Sequence, residues 1–387
     1  MTVNELLKLI PEKTFQQLAA ETRVDEQVKK LSGELMFKLI LFSMVNTEKL
    51  SLRVMETFLQ SAQFKSFTGF DITDSRYNSI RDRICTMEVE YFEKLFNQVF
   101  TIYNKVLGEE KALSRADSTM ISLPARLLSG GITNNSKELR FIKYSMTLKG
   151  SLPCSVKVFK EPVYASDDRA LAEAIKENQF IEGNVIVFDR GLRARKALEE
   201  FTDDNKFFVT RGYKDIRCEV TKKLKIPAKP QGSTVTIHRD EIGYLINRND
   251  RPTRHLYRVI RATIDDTKEQ ICFVTNITSE NGYLLAQWYK QRWDIEVFFK
   301  FLKQHLNVKH LVSRTENGMK VMIYMTLIVA VLMLVYKKLN GIKSYKIAKL
   351  KFEIELDNEM IKAIVILCGG NPDNAAHLFK IRAGVLS

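Results

Sequence analysis

The chain has 387 residues, enough for two or three domains or one domain with a large insertion, and its 45% hydrophobic content supports a full core. Sixty Lys and Arg against 46 Asp and Glu give a net charge of +14, which suits a polyanionic partner such as DNA or an acidic membrane surface. Five scattered cysteines with no C-x-x-C pair and no His at zinc spacing exclude a zinc ribbon and point to reduced, buried thiols; the lack of a Gly-x-x-x-x-Gly-Lys-Ser/Thr loop removes the phosphate cradle of an ATPase.

From residue 1 to about 110 the pattern is helical, with apolar residues at 3 and 4 spacing in Met36, Leu39, Ile40, Met44 and in Phe92, Leu95, Phe96, Val99, Phe100. Residues 1–10 carry Glu5 and Lys8 in a short amphipathic pattern and do not read as a signal peptide. Residues 71–81 begin with cap-type side chains and continue with basic ones, which fits a helix laid against a DNA backbone or an ordinary surface helix. Strands are predicted at 112–121, 140–148 and 154–160, with Gly150, Ser151 and Pro153 turning the chain between the last two.

A helix capped by Ser166 follows, with Asp167 and Asp168 in its first turn and Ala170, Leu171, Ala174 and Ile175 as its buried face. Val185-Ile186-Val187-Phe188 then reads as a strand covered on both sides. A crossover can return that strand beside the first, which would bring Asp189 next to Asp117 where ligands favour strand ends. A helix near 192–201 and a strand at 206–210 complete the sheet. This order predicts an α/β, ribonuclease H-like catalytic core.

Alternating runs between 205 and 275 predict a β-rich insertion at about 211–280, and residues 205–261 hold 14 Lys and Arg against 5 Asp and Glu. Lys222, Lys223 and Lys225, with Lys229, read as a basic loop suited to DNA contact or to solvent. After Lys303 the chain stays helical, broken once at Gly369-Gly370-Asn371-Pro372. The apolar run 321–335 reaches about 16 residues with Tyr336, short of the roughly 20 a bilayer crossing needs, so it reads as a buried helix and no membrane is expected. Residues 350–363 are amphipathic, fit to pack on the core or on a second subunit. The expected division is a helical N-terminal DNA-binding domain at 1–110, the core with its insertion at 111–315, and a helical C-terminal region at 316–387.

Chemistry concentrates in three acids. Asp117 and Asp189 are placed on strands and Glu296 on a helix, and carboxylates suit Mg²⁺ or Mn²⁺, two of which about 3.5–4 Å apart can serve an in-line phosphoryl transfer. Asp117 is expected to bridge both ions, Asp189 to bind one and Glu296 the other. Tyr289, Arg292, Glu296 and Lys303 are spaced 3, 4 and 7, so at about 100° per residue they share one helical stripe. Arg292 and Lys303 offer donors to phosphate, and Tyr289 a hydroxyl and a ring. Trp288 and Trp293 flank them, as anchors of the helix or as stacking platforms. Asp167-Asp168, Asp203-Asp204 and Asp265-Asp266 read as caps and turns, and His305 with His310 lacks a third zinc ligand.

Tyr-x2-Arg-x3-Glu-x6-Lys resembles the YREK signature of DDE transposases of bacterial insertion sequences, in the family numbered four by convention. Asp189-Arg190-Gly191 is similar to that family's second-aspartate motif and Asp117-Ser118-Thr119 to its first, and the likeness covers roughly 110–315. Ser118 stands where many members have Gly, and Leu192 where many have an aromatic. The resemblance implies an all-β insertion between the second and third acids, and hydrolysis of the phosphodiester at the element's end followed by attack of the freed 3′-hydroxyl on target DNA. It further implies that Tyr289, Arg292 and Lys303 hold the terminal nucleotides. Double-stranded DNA is the expected partner, with Arg190, Lys222, Lys223 and Lys225 as further contacts, a homodimer as the synaptic form and a cytoplasmic, nucleoid-associated location. A nuclease without strand transfer, a catalytically silent DNA-binding remnant and a basic peripheral membrane protein are the alternatives.

Overall fold

A computed structural model describes residues 1–70, 75–124, 132–134, 137–181, 183–192, 194–247, 249–306, 308, 312–313 and 315–375. It divides into two compact units, one drawn chiefly from Met1–Leu107 and Lys300–Ser387, the other from Gly108–Ala125 and Ser129–Phe299.

In the first unit seven helices come from the N-terminal region: α1 Val3–Lys8, α2 Glu12–Thr22, α3 Gly33–Asn46, α4 Leu52–Gln60, α5 Ala62–Thr68, α6 Tyr77–Thr86 and α7 Val89–Val106. Their starts are written in the sequence: the Thr2, Ser32, Ser51 and Ser61 side chains each accept a backbone N–H of the following first turn, satisfying donors that a helix start leaves open. The first part of the expected 71–81 helix, 71–74, lies outside the described residues; α6 starts at Tyr77.

Numbering the helices in chain order, α12 Glu316–Leu339 and α13 Tyr345–Leu367 join these from the other end of the chain. α12 packs on α7, where Phe96 meets Tyr324 with ring centroids 6.0 Å apart, and on α13, where Tyr336 stands edge-on to Phe352 and donates its hydroxyl to Glu355 at 2.7 Å. The 321–335 run sits inside this helix of 24 residues, longer than its apolar stretch suggests. By length and composition α12 could cross a bilayer, so the length argument fails; what decides is that 89% of its most apolar window is buried against its own unit. Of the cysteines, Cys154 and Cys272 are buried as expected, whereas Cys368 is exposed.

The second unit is built on one ten-stranded mixed sheet. Its strands are β1 Ser114–Pro124, β2 Ile132–Asn134, β3 Lys137–Lys149, β4 Leu152–Phe159, β5 Val185–Phe188, β6 Phe207–Gly212, β7 Cys218–Lys223, β8 Val235–Ile246, β9 Pro252–Ile264 and β10 Gln270–Thr275. The order is β2-β3-β1-β5-β6-β10-β9-β8-β7, with β4 on β3; β1-β5 and β5-β6 are parallel and the remaining pairs antiparallel. Parallel neighbours need crossovers, and α8 Asp167–Lys176 and α9 Arg195–Asp203 supply them.

Alternation along the strands sorts the core into two faces. On one, Ala116, Ile186 and Phe188 meet Leu171 and Ile175 of α8 and Leu198 and Phe201 of α9. On the other, Val187, Val209, Ile260 and Phe273 meet Leu285 and Ala286 of α10 Gly282–Lys290. The continuous apolar run 185–188 thus has cover on both sides. The strands expected as an insertion extend this same sheet, because β10 pairs along β6 with Cys272 opposite Gly212. Lys222 and Lys223, read from sequence as loop, lie in β7.

Phe208 is fully buried between Phe188 at 5.7 Å, Phe201 at 6.3 Å and Tyr257 at 6.1 Å. Phe208→Ala is expected to cost about 3–5 kcal/mol, read as a lower denaturant midpoint with unchanged slope; a midpoint equal to wild type would contradict this packing.

Candidate active site at the ends of the parallel strands

The parallel ladder between β1 and β5 ends with Ala116 opposite Phe188, so Asp117 and Asp189 are the next residues along neighbouring strands. Each carboxylate accepts the backbone N–H that follows it: Ser118 to Asp117 and Arg190 to Asp189, both at 2.7 Å. Those bonds fix one oxygen of each side chain and leave the rest available.

The remaining partners come from the segment after α10. Tyr289 donates its hydroxyl to Asp189 at 3.2 Å, and its ring packs 5.3 Å from that of Phe273. Arg292 donates Nη2 to Glu296 at 2.6 Å while Nη1 lies 3.7 Å from an Asp117 oxygen. One guanidinium therefore stands between two of the three acids, and one phenol holds the third. Arg292 Nε is buried and has no hydrogen-bond partner among the described residues.

Electrostatics follow from this crowding. Burial, with the negative charges of Asp167 and Asp189, pushes the Asp117 carboxyl up to about 6, against the lowering pull of the Ser118 N–H and Arg292. Burial alone would lower the Arg292 guanidinium; its bond to Glu296 and the nearby Tyr289 and Asp189 hold it above its ordinary value. Burial and the Asp189 charge raise the Tyr289 hydroxyl, keeping it a donor.

The helix that carries these groups is not continuous. Tyr289 lies in the last turn of α10, Glu296 in the first turn of α11 Trp293–His305, and Gln291 and Arg292 turn between them. The expected single stripe from Tyr289 to Lys303 is corrected: the break at Gln291 and Arg292 separates Tyr289 from α11, which carries Glu296 and, seven residues on, half-buried Lys303. Arg115, two residues before Asp117 on β1, braces the break. Its Nε takes the Gln291 carbonyl at 3.0 Å and Nη2 the Gln291 side-chain oxygen at 2.8 Å, with Asp294 at 3.3 Å and the Gly150 carbonyl on Nη1 at 2.6 Å. In an α-helix the Gln291 carbonyl would accept the Ile295 N–H, but here that N–H bonds to Arg292 at 3.2 Å.

α10 is anchored at its other end. Asp240 and Arg258, both buried, form a two-pronged pair at 2.7 Å, and Arg258 also donates to the Thr278 and Glu280 carbonyls just before the helix. Gly282 opens α10 where a Cβ would come within 2.9 Å of an Asp240 oxygen.

Sequence reasoning dismissed Asp167 as a capping acid. Ser166 makes no side-chain cap bond, and Asp167 instead pairs with buried Lys143 at 2.6 Å and lies against Gly191, where a Cβ would meet its oxygen at 2.8 Å. Asp168 accepts the Ala194 N–H at 2.9 Å, tying the chain after Asp189 to α8. Trp288 packs on the α10 core, but Trp293 is 60% exposed and anchors nothing. Arg190 is exposed beside Asp189, Lys222 and Lys223 are exposed on the edge strand β7, and Lys225 is exposed just beyond it. His310 lies outside the described residues. Among the described residues no three His, Cys, Asp or Glu side chains sit closely enough to hold one metal ion.

The unit that carries these residues is mixed α/β, with acids at neighbouring parallel strand ends faced by a Tyr-Arg-Glu segment. The chain belongs to the transposase DDE domain family, which it matches over residues 117–332. It is 30% identical over 149 residues to the transposase described for insertion sequence element IS5377 of Geobacillus stearothermophilus, a match covering 38% of this chain and 38% of that protein. It is 25% identical over 274 residues to the transposase described for IS4SA of Synechocystis sp., covering 64% and 71%. Among solved structures it is similar to the piggyBac transposase in a synaptic complex with hairpin DNA, at 12% identity and a TM-score of 0.47, over 94% of this chain and 82% of that one.

Arg115→Ala is expected to release the α10–α11 junction. Hydrogen–deuterium exchange across 288–296 should rise while β3 and β5 exchange as in wild type; unchanged exchange at the junction would show that Arg115 does not hold it.

Proposed function

We propose that this chain is the transposase of an insertion sequence, binding its ends as double-stranded DNA and catalysing cleavage and strand transfer at Asp117, Asp189 and Glu296. The observation that carries the reading is the adjacency of Asp117 and Asp189 with Arg292 set between Asp117 and Glu296. The finer architecture proposed with it is a ribonuclease H-like core at 111–315 extended by the strands near 211–280, a DNA-binding helical region at 1–110 and a helical region at 316–387. The working form is a homodimer in the synaptic complex, in the bacterial cytoplasm.

Divalent-metal dependence is general to DDE transposases, and the residues present fit it. All three donors are hard carboxylate oxygens, and Asp117 is a desolvated acid beside other negative charge, a state that a cation relieves. Asp117, Asp189 and Glu296 would hold the ions, two Mg²⁺ or Mn²⁺ in this proposal, which when bound stabilise the attacking and leaving oxygens of a phosphoryl transfer.

The chain's own groups do the rest. Arg292 turns from Asp117 toward a phosphate oxygen while Nη2 keeps Glu296 in place. Tyr289 orients Asp189 through its hydroxyl, and its ring, with the Arg292 guanidinium 5.9 Å from its centre, offers a face to a terminal sugar or base. Arg190, Lys303, Lys222, Lys223 and Lys225 are proposed as backbone contacts. Cleavage and joining are the same displacement with water or a 3′-hydroxyl as nucleophile, so one site serves both and no nucleotide cofactor is needed.

Asp189→Ala is expected to abolish Mg²⁺-dependent cleavage of element ends while the uncleaved DNA still shifts on a gel; full cleavage by the variant would remove Asp189 from catalysis. Free fragments without joined product from pre-cleaved ends would favour a nuclease without strand transfer. Arg292→Gln should lower the slope of log affinity against log salt by about 0.9, and an unchanged slope would take Arg292 off the phosphate.

A further inference from the structure

Outside the acidic site, a row of residues in register crosses four strands of the sheet: Gly212 on β6, Cys272 on β10, Arg261 on β9 and Arg239 on β8. The row starts two residues past Thr210, the register partner of Phe188, and so leaves from the same end of the sheet as Asp189. Over it lies a cavity of about 310 Å³ lined by Lys214, His238, Arg239, Arg261, Gln270 and Cys272.

The strand is distorted to build this lining. A bulge between Ile237 and Arg239 leaves His238 without a register partner, and both His238 and Arg239 line the cavity, where a regular strand sends successive side chains to opposite faces. Arg239 stands directly opposite Arg261, a like-charge pair that costs a sheet stability. Arg261 is partly answered, donating to Glu241 at 2.8 Å and to the Ile216 carbonyl at 2.9 Å, and His238 lies 2.8 Å from the Thr263 hydroxyl. Among the described residues Arg239 and Lys214 make no side-chain hydrogen bond or ion pair. Two uncompensated cations therefore share a concave site with a third, and the sheet tolerates a repulsion that a bound anion would remove.

We propose that this cavity is a DNA-backbone site that receives phosphates of the duplex as it passes beyond the Asp189 strand end. The inference rests on the transposase reading and adds to it the path of the DNA. Arg239 and Arg261 stand on adjacent strands about 4.8 Å apart and Lys214 in the turn after β6, so the positive charge is spread along the lining in a way that suits a polymer's phosphates, and the chain's charge of +14 favours the same ligand. The sequence reading put DNA contact in this region at Lys222, Lys223 and Lys225; the cavity uses other residues, brought together only by strand pairing.

The test is the salt dependence of binding to a short DNA duplex of arbitrary sequence, with cleavage of element ends measured in parallel. Lys214→Ala with Arg239→Ala should reduce the slope of log affinity against log salt by about 1.8, at about 0.9 for each lost phosphate contact. Both side chains are exposed, so the variant should fold, and Lys214→Arg with Arg239→Lys should keep the wild-type slope. An unchanged slope in the alanine variant, in a protein whose wild type cleaves element ends, overturns the cavity assignment and leaves the transposase reading standing. A reduced slope from a wild type that cleaves no end in Mg²⁺ or Mn²⁺ overturns the transposase reading and keeps the cavity as a DNA site.

Discussion

Two carboxylates set side by side on neighbouring parallel strands repel each other, and much of the structure at that end of the sheet answers this repulsion. The β1–β5 register leaves no freedom: once Ala116 faces Phe188, Asp117 and Asp189 must follow together. Partial burial sharpens the problem, holding Asp117 near a pKa of about 6 rather than in the usual carboxylate range. Backbone N–H groups, the Tyr289 hydroxyl and the Arg292 guanidinium supply partial compensation. The last two act through side chains, the first through fixed backbone.

The groups that compensate are held by a frame far larger than the site. Arg115 braces the break between α10 and α11, its guanidinium sharing the Gln291 carbonyl with the Asp294 N–H, and so ties the segment that carries Arg292 and Glu296 to β1. At the opposite end of α10, the buried Asp240–Arg258 pair on β8 and β9 grips the loop that precedes it. Both anchors are costly to desolvate, and removing one partner of such a pair leaves a buried charge unanswered. The strands beyond β6 thus contribute to the placement of α10, and with it of Tyr289.

Much of this was legible in the sequence. The apolar run 185–188, the Gly150 turn at φ 58° and the four buried positions of α8 each follow from local pattern, and together they predict the crossover that joins the aspartates. The bend at Gln291 was not legible, since residues three and four apart look alike in a continuous helix and in two helices joined by a tight turn. Arg115 gave no signal because its main partner is 176 positions away. β7 was missed because nearly all its side chains are exposed, which erases the alternation that marks a strand. The length of α12 was underestimated because its polar ends are helical too, and burial, which sequence does not state, fixes how its apolar surface is used.

The most direct test of the central claim is anomalous diffraction from crystals grown with Mn²⁺ and DNA carrying the element's end. The account predicts a manganese peak within about 2.2 Å of oxygens of both Asp117 and Asp189, with Arg292 swung from Asp117 onto phosphate. Manganese bound elsewhere, or none at a concentration that supports cleavage, would contradict it.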